Sequence, residues 1–295
     1  MFKKILYPTA FEEFSRDVLR CLTNFKSLGT EEIVLLHVIY ASQLPQVHEG
    51  YVLRLADALR HILNAKMDEA AGIVEGAGIK VKKRIELGVP HREILRVAQE
   101  EQASLIAAGR ERKGFLGEIF VGSITDKIVR HGTTPVYIPK YPGIYGADPK
   151  ACEAFCRNPF RRILYPTDWS DCARKALDYV KQFRNAGVEE VIVAHVMDEK
   201  AMRLQPEEKF KEFERIDKEK LARVRADLEK EGLRVSTHLS VGNPRAELIG
   251  IAKTQDVSLI VLGSHGKGRA EGILWGSVSR NVAEYSERPV LLIKG

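Results

Sequence analysis

The sequence predicts an α/β protein made of two repeated doubly wound domains, each a five-stranded parallel sheet with helices on both faces. Three observations predict it. Short apolar runs alternate with segments whose apolar residues recur at helical spacing. The runs are continuous, as in strands buried on both faces. The whole order is also written twice. Lys4-Ile5-Leu6-Tyr7-Pro8-Thr9 returns 158 residues on as Arg162-Ile163-Leu164-Tyr165-Pro166-Thr167, and Leu36-His37-Val38 returns at the same offset as Ala194-His195-Val196. Gly88-Val89-Pro90 returns as Gly242-Asn243-Pro244, and Gly109, Gly122-Ser123 and Pro135-Val136 return as Gly263, Gly276-Ser277 and Pro289-Val290, all at an offset of 154. The segment between Val38 and Gly88 therefore varies in length. A period this long marks a duplicated domain, not a solenoid. The expected division is a first domain over 1–140, a linker over 141–159 and a second domain over 160–295.

Each unit has the same rhythm. A first strand (Ile5-Leu6-Tyr7, or Ile163-Leu164-Tyr165) ends at Pro-Thr. A helix follows, with Phe14, Val18, Leu22 and Phe25, or Ala173, Leu177, Val180 and Phe183, on its apolar side. A buried strand spans Ile33 to Ile39, or Val191 to Val196. A longer and more polar helical region runs from Val52 to Glu75, or from Glu207 to Glu231. A third strand ends at Gly88 or Gly242, and the next helix begins at Pro90 or Pro244, where proline is tolerated. The fourth strand, Leu105 to Ala108 or Leu259 to Leu262, leads into a glycine loop. A final helix opens at Gly122-Ser123 or Gly276-Ser277, and a fifth strand, Val136 to Ile138 or Val290 to Ile293, closes the unit. Between the units, Tyr141 to Pro159 is bounded by Pro and Gly and reads as a linker.

Sheets of this kind take ligands beyond the carboxyl ends of their strands. That places Pro166, Thr167 and Asp168, the Val196 backbone and the second glycine loop on one rim. The loop offers Gly263, Ser264, His265, Gly266 and Lys267. Gly276, Ser277, Val278 and Ser279 then open the last helix. Glycines let the backbone approach an anion, and a helix start presents unpaired N–H groups and a positive dipole end. Ser277 is a good N-cap residue, and its hydroxyl could reach a phosphate. The spacing is neither a Walker loop nor a GxGxxG fingerprint, so an ordinary βα loop without ligand stands as the alternative at this point.

Composition narrows the classes. The 295 residues (33.2 kDa) are 44% hydrophobic and 29% charged, as in soluble globular domains. No apolar run has the length of a membrane span and no signal-peptide region follows the start, so no membrane partner is expected and a cytoplasmic location is. The net charge of +6 is small for this length. The densest basic stretches, Lys80 to Arg84 and Arg157 with Arg161-Arg162, lack interleaved aromatics, so no nucleic-acid partner is expected. Four cysteines fit a reducing compartment. Cys152 and Cys156 stand one helical turn apart and read as free thiols, with a disulfide between them as the alternative. No companion Cys/His pair completes a zinc site.

Ile163 to Asp168 (ILYPTD), His195-Val196, Gly242 to Pro244 (GNP), Gly263 to Gly266 (GSHG) and Gly276-Ser277 together resemble the universal stress protein family. The likeness is to a tandem of two such domains and covers nearly all residues outside the linker. It implies a five-stranded parallel domain whose dimers form edge to edge through the last strand. In the family's ATP-binding branch it further implies that an Asp after the first strand contacts the ribose or adenine side, that backbone after the second strand reads the adenine edge, and that the glycine loop and Gly-Ser hold the phosphates. Carried onto this chain, these are Asp168, Val196, and Gly263, Gly266, Gly276 and Ser277. The implied ligand is ATP or AMP, with Mg²⁺ as a companion ion, and the implied role is a sensor or switch in stress response. An intrachain pseudo-dimer through the two fifth strands is expected, and a homodimer besides.

The residues suit these roles and leave alternatives. The Asp168 carboxylate can accept two ribose hydroxyls, or cap the following helix. Val196 offers backbone and an apolar wall, or simple strand core. His265 and Lys267 could meet phosphate or solvent, and Ser279 is a weaker phosphate candidate. The first unit departs at two places: Ala10 stands where Asp168 does and Arg112 where Gly266 does. Gly109, Gly122 and Ser123 persist, so an impaired or altered second site is expected there, with Arg112 as a source of charge. Arg112 also reads as a clash with a positive φ or with close phosphate approach. Binding is favoured over chemistry, because His265 and Glu271 are the only nearby acid–base groups. Slow ATP hydrolysis and a nucleotide-free dimerising scaffold remain as the other readings.

Overall fold

A computed structural model describes residues 1–11, 15–40, 49–113, 118–140, 156, 158–266 and 275–295, with backbone alone for 15, 49–60, 110–113 and 118–120. The first unit runs β1 (Lys4–Pro8), α1 (Ser15–Leu22), β2 (Glu32–Tyr40), α2 (Glu49–Gly76), β3 (Lys80–Gly88), α3 (Pro90–Glu100), β4 (Leu105–Ala107), β5 (Arg110–Lys113), β6 (Glu118–Val121), α4 (Ser123–His131) and β7 (Val136–Ile138). The second runs β8 (Arg162–Pro166), α5 (Asp171–Lys181), β9 (Glu190–Asp198), a short α6 (Glu199–Met202), α7 (Glu207–Lys230), β10 (Val235–Gly242), α8 (Pro244–Thr254), β11 (Leu259–Gly263), α9 (Ser277–Tyr285) and β12 (Val290–Ile293). Short 3₁₀ turns extend α1 and α5, over Thr23–Leu28 and Gln182–Asn185.

Ten strands form one sheet in the order β10-β9-β8-β11-β12-β7-β4-β1-β2-β3. Within this sheet every pairing inside a unit is parallel. The units join where β12 meets β7 antiparallel, with Leu291 opposite Tyr137. This is the expected pairing of the two fifth strands. Alternate strand residues enter opposite layers. Ile5 and Tyr7 pack with α1 and α2 while Leu6 packs with α3 and α4; Ile163 and Tyr165 pack toward α5 and α7 while Leu164 packs toward α8 and α9. In the inner strands both faces are buried, which is why these read as largely unbroken apolar runs. At the junction Phe160 sits edge-on between Phe25 (5.1 Å) and Phe183 (5.2 Å), and Phe25 in turn meets Tyr137 at 5.0 Å. Lysines after the last strands reach across it: Lys140 Nζ donates to the Ser286 carbonyl (2.7 Å), and Lys294 Nζ to that of Val129.

The outer strands β3 and β10 are sheet edges. The basic run Lys80 to Arg84 lies on β3, where charge discourages further strand pairing. Lys82 and Arg84 pair with the buried Glu101 at 2.8 and 2.7 Å, and these bonds, that of Lys82 foremost, hold its carboxyl below the usual range. Among the described residues no helix is long and apolar enough to cross a membrane.

Two expectations are corrected. The first unit's glycine loop is an antiparallel hairpin in which β5 pairs with β6 and Arg112 stands opposite Ile119. Glu118-Ile119-Phe120-Val121 carries β-favouring residues, whereas the polar Arg-Glu-Arg-Lys of β5 hid the pairing from a search for apolar runs. The cysteines differ too. Cys156 is disulfide-bonded to Cys21, 135 residues away, with Cα atoms 5.0 Å apart, and the Asn24 amide donates to the Cys156 carbonyl at 2.7 Å. Spacing along a helix reveals only local neighbours, so this long-range partner was invisible. Cys152, Phe14 and nearly all of the linker lie outside the described residues.

Candidate functional site

A cleft of about 760 Å³ opens beyond the carboxyl ends of β8, β9 and β11, where the strand order reverses. Asp168, Val196, Gly263, His265, Gly266 and Gly276 to Ser279 all line it, with Pro166 and Thr167 at its floor. Ser264 is fully buried instead, and Lys267 and Glu271 lie outside the described residues.

The turn that presents Asp168 is built locally. The Thr167 N–H continues the sheet by donating to Ala194 O (2.9 Å), and Asp168 Oδ1 accepts the Ser170 N–H (3.0 Å). Between them Trp169 stands at φ +67°, in the left-handed region. Ser170, not Asp168, caps α5, accepting the Ala173 N–H at 3.2 Å. Tyr165 braces the same helix start by donating to Ala173 O (2.7 Å), and burial pushes its phenol up to about 12.

The loop glycines are needed for room, and none of the three has a positive φ. A Cβ on Gly263 would sit 2.8 Å from Cys172 Sγ, and one on Gly276 3.2 Å from His265 Cα. A Cβ on Gly266 would land on Asp168 Oδ2. Of the two reasons given for a clash at the Arg112 position, a positive φ does not apply to Gly266; the glycine makes space for the carboxylate. The helix start is corrected as well, since Gly276 is the N-cap of α9 and Ser277 its first helical residue. Ser264 stitches the loop, donating its N–H to Ile293 O (2.8 Å) and accepting from the Gly276 N–H (2.8 Å) and the Ser279 hydroxyl (2.7 Å). Ser279 thus spends its one hydrogen on loop closure. The first-turn N–H groups of Ser277 and Val278 remain at the cleft wall, with the positive end of the helix dipole behind them. Beneath the loop lie the buried Cys172 thiol and Lys294, whose ammonium burial pushes down to about 8.

Four residues on the opposite wall escaped the sequence reading as site residues: Trp169, His195, Asp217 and Lys220. His195 Nδ1 is 2.7 Å from Thr167 O and its Nε2 is 3.2 Å from Asp217 Oδ2. Trp169 Nε1 donates to Asp217 Oδ1 at 3.0 Å, and its ring lies 4.8 Å from that of His195. Lys220 Nζ stands 3.4 Å from Asp217 Oδ1 and 5.4 Å over the Trp169 ring. Met197, Met202, Phe213 and Ile216 make this end apolar. The repeated His37 and His195 were a usable signal, but Asp217 sits in a helix rich in charge and gave none.

The first unit keeps the frame. His37 Nδ1 lies 2.8 Å from Thr9 O, Phe11 at φ +57° stacks on His37 at 5.0 Å, and Lys66 stands 5.8 Å over Phe11. Burial, foremost, pulls His37 below the ordinary imidazole value. A Cβ on Gly109 would meet open space, and the Thr125 hydroxyl donates to Gly109 O at 2.7 Å. Ser123 opens α4 behind the N-cap Gly122, as Ser277 opens α9.

The parallel α/β unit with a helix start at its rim is present here twice in one chain, and the second copy adds the glycine loop and the carboxylate. The chain belongs to the universal stress protein family, whose model matches residues 1–140 and again 159–294. It is 36% identical over 154 residues to universal stress protein MJ0577 of Methanocaldococcus jannaschii, spanning 46% of this chain and 95% of that protein. A Mycolicibacterium smegmatis universal stress protein is 22% identical over 273 residues, 91% of this chain and 89% of that one. The crystal structure of a universal stress protein from Archaeoglobus fulgidus superposes with a TM-score of 0.73 at 26% identity, covering 99% of this chain and 96% of that one.

Proposed function

We propose that the second unit binds an adenine nucleotide, ATP or AMP, and that binding serves as a sensor or switch in stress response. The observation that carries this reading is the polarity of one cleft. Glycine-lined backbone and the α9 N-terminus sit at one end, an aromatic and apolar wall at the other, and the Asp168 carboxylate between them. Such an arrangement suits phosphates, a flat base and ribose hydroxyls in that order. Val196 supplies backbone and an apolar surface to the base. A Mg²⁺ ion, where ATP brings one, would be held chiefly by the phosphates: among the described residues no cluster of three or more His, Cys, Asp or Glu is placed to hold a metal.

The first unit, with Ala10, Arg112 in a hairpin and no counterpart of the Asp168 carboxylate, acts mainly as the structural partner. The internal β7–β12 pairing occupies the edge through which single-domain relatives are expected to pair, so a homodimer of this chain would use another surface.

Isothermal titration of the nucleotide-stripped chain with ATP and with AMP tests the reading. One site per chain is expected, abolished by Gly276→Asp, which crowds His265 and sets a negative charge at the helix start, and retained in Gly122→Asp. Two sites would show the first unit to be competent. No heat with either nucleotide, at several temperatures and with Mg²⁺ present, would favour a ligand-free scaffold.

A further inference from the structure

The wall opposite the glycine loop holds a polar cluster that the first unit lacks, and its geometry converges on one buried carboxylate. Asp217, on α7, accepts from Trp169 Nε1 through one oxygen and faces His195 Nε2 with the other. His195 in turn bonds the carbonyl of Thr167. A single side chain therefore grips both sides of Asp168: Thr167 before it, through His195, and Trp169 after it. The grip is applied to a turn under strain. Trp169 has φ +67°, a conformation that costs a non-glycine residue about 1–2 kcal/mol; Phe11 holds φ +57° in the first unit without such a carboxylate, so what Asp217 adds is a hold on the side chains of the turn.

The first unit shows the same frame without the carboxylate. Phe11, His37 and Lys66 stand where Trp169, His195 and Lys220 do, but Leu63 occupies the position of Asp217, and phenylalanine has no N–H to donate. The unit without the grip is also the unit with Ala10 in place of the carboxylate that the grip would hold.

We propose that Asp217 is a positioning residue of the second unit's cleft: it fixes the Trp169 turn and thereby places Asp168 for the nucleotide's ribose. This rests on the nucleotide reading of the cleft. Asp217 itself stands on the cleft wall, and the role assigned to it is exerted through Trp169 and His195.

The test uses the full chain carrying Trp275→Phe, which leaves Trp169 as the single tryptophan of the two. Asp217→Leu installs the side chain found in the first unit. Asp217→Asn keeps an acceptor for Trp169 Nε1 and turns an N–H toward His195 Nε2. Trp169 emission and acrylamide quenching are read without ligand, and ATP and AMP affinities by titration calorimetry. Asp217→Leu is expected to red-shift the emission, increase quenching and weaken binding by about tenfold or more, the loss of a charge-assisted hydrogen bond. Asp217→Asn is expected to leave emission unchanged and affinity within about threefold. Unchanged emission in Asp217→Leu overturns the proposal, as does shifted emission with unaltered affinity. If Asp217→Leu does not fold, Trp169→Phe in the otherwise unaltered chain decides: about fivefold weaker binding upholds the positioning role, and unaltered binding overturns it. A parent chain that binds neither nucleotide overturns the reading of the cleft, and the emission of Asp217→Leu then shows separately whether Asp217 holds the turn.

Discussion

The two units lay the same five parallel strands in the same order, yet around the same rim their side chains differ, and four of the differences bear on the site: Ala10 against Asp168, Phe11 against Trp169, Leu63 against Asp217, and Arg112 against Gly266. These differences are not independent. Gly266 lacks a side chain because Asp168 Oδ2 occupies the space a Cβ would need. Ala10 brings no carboxylate to that side, and the corresponding chain in the first unit runs as a hairpin bearing Arg112. The carboxylate and the glycine are one feature written at two places about 100 residues apart. On the proposed reading their joint replacement in the first unit marks the loss of a site, while the strands, the His–Thr contact and the helix start are kept in both units.

The largest effect should come from the seam on which the two units depend. Phe160→Ala removes the ring wedged between Phe25 and Phe183 and should lower stability by about 3–5 kcal/mol, read by urea denaturation. Two separated transitions in place of one would show that the units then unfold independently. Next, Asp168→Ala should weaken nucleotide binding about tenfold to a hundredfold, the cost of losing one or two hydrogen bonds to a charged acceptor, with little change in melting temperature. Equal binding in the variant and the parent would remove the main distinction drawn between the units.

A double-mutant cycle sharpens the steric link. Gly266→Ala alone should destabilise by about 1–3 kcal/mol, as over-packing does, and the cost should largely vanish in the Asp168→Ala background. Additive effects would mean that the glycine is required for another reason. The smallest effect concerns pH. Lys294 is pushed down to about 8 in the folded chain against 10.5 as its ordinary value. Between these limits the unfolded chain holds a proton that the native chain does not, so this group makes stability rise with pH from about 8 to 10.5, and its full cost is present below 8. Chemical denaturation of the parent and of Lys294→Met across this range should show the parent gaining on the variant as pH rises. Parallel curves would place the ammonium in a better solvated setting.

Much of the molecule is legible in its linear order. The repeat, the continuous apolar runs and the Pro–Thr strand ends determined two parallel α/β units, because burial on both faces of a sheet imposes an unbroken apolar pattern that survives in the linear order. Asp168, Val196, Gly263, Gly266 and Gly276 were placed on one rim by the same logic, since each follows a strand end and strand ends share an edge. The relations between distant segments arise only when the chain is folded. The Cys21–Cys156 bond, the approach of Asp168 to Gly266, the grip of Asp217 on Trp169 and the crossing of Lys294 to Val129 all join residues from different elements. Periodicity records which face of an element is buried, but not which partner lies against it. A polar residue in a polar helix, such as Asp217, carries no trace of its partner until the chain is folded.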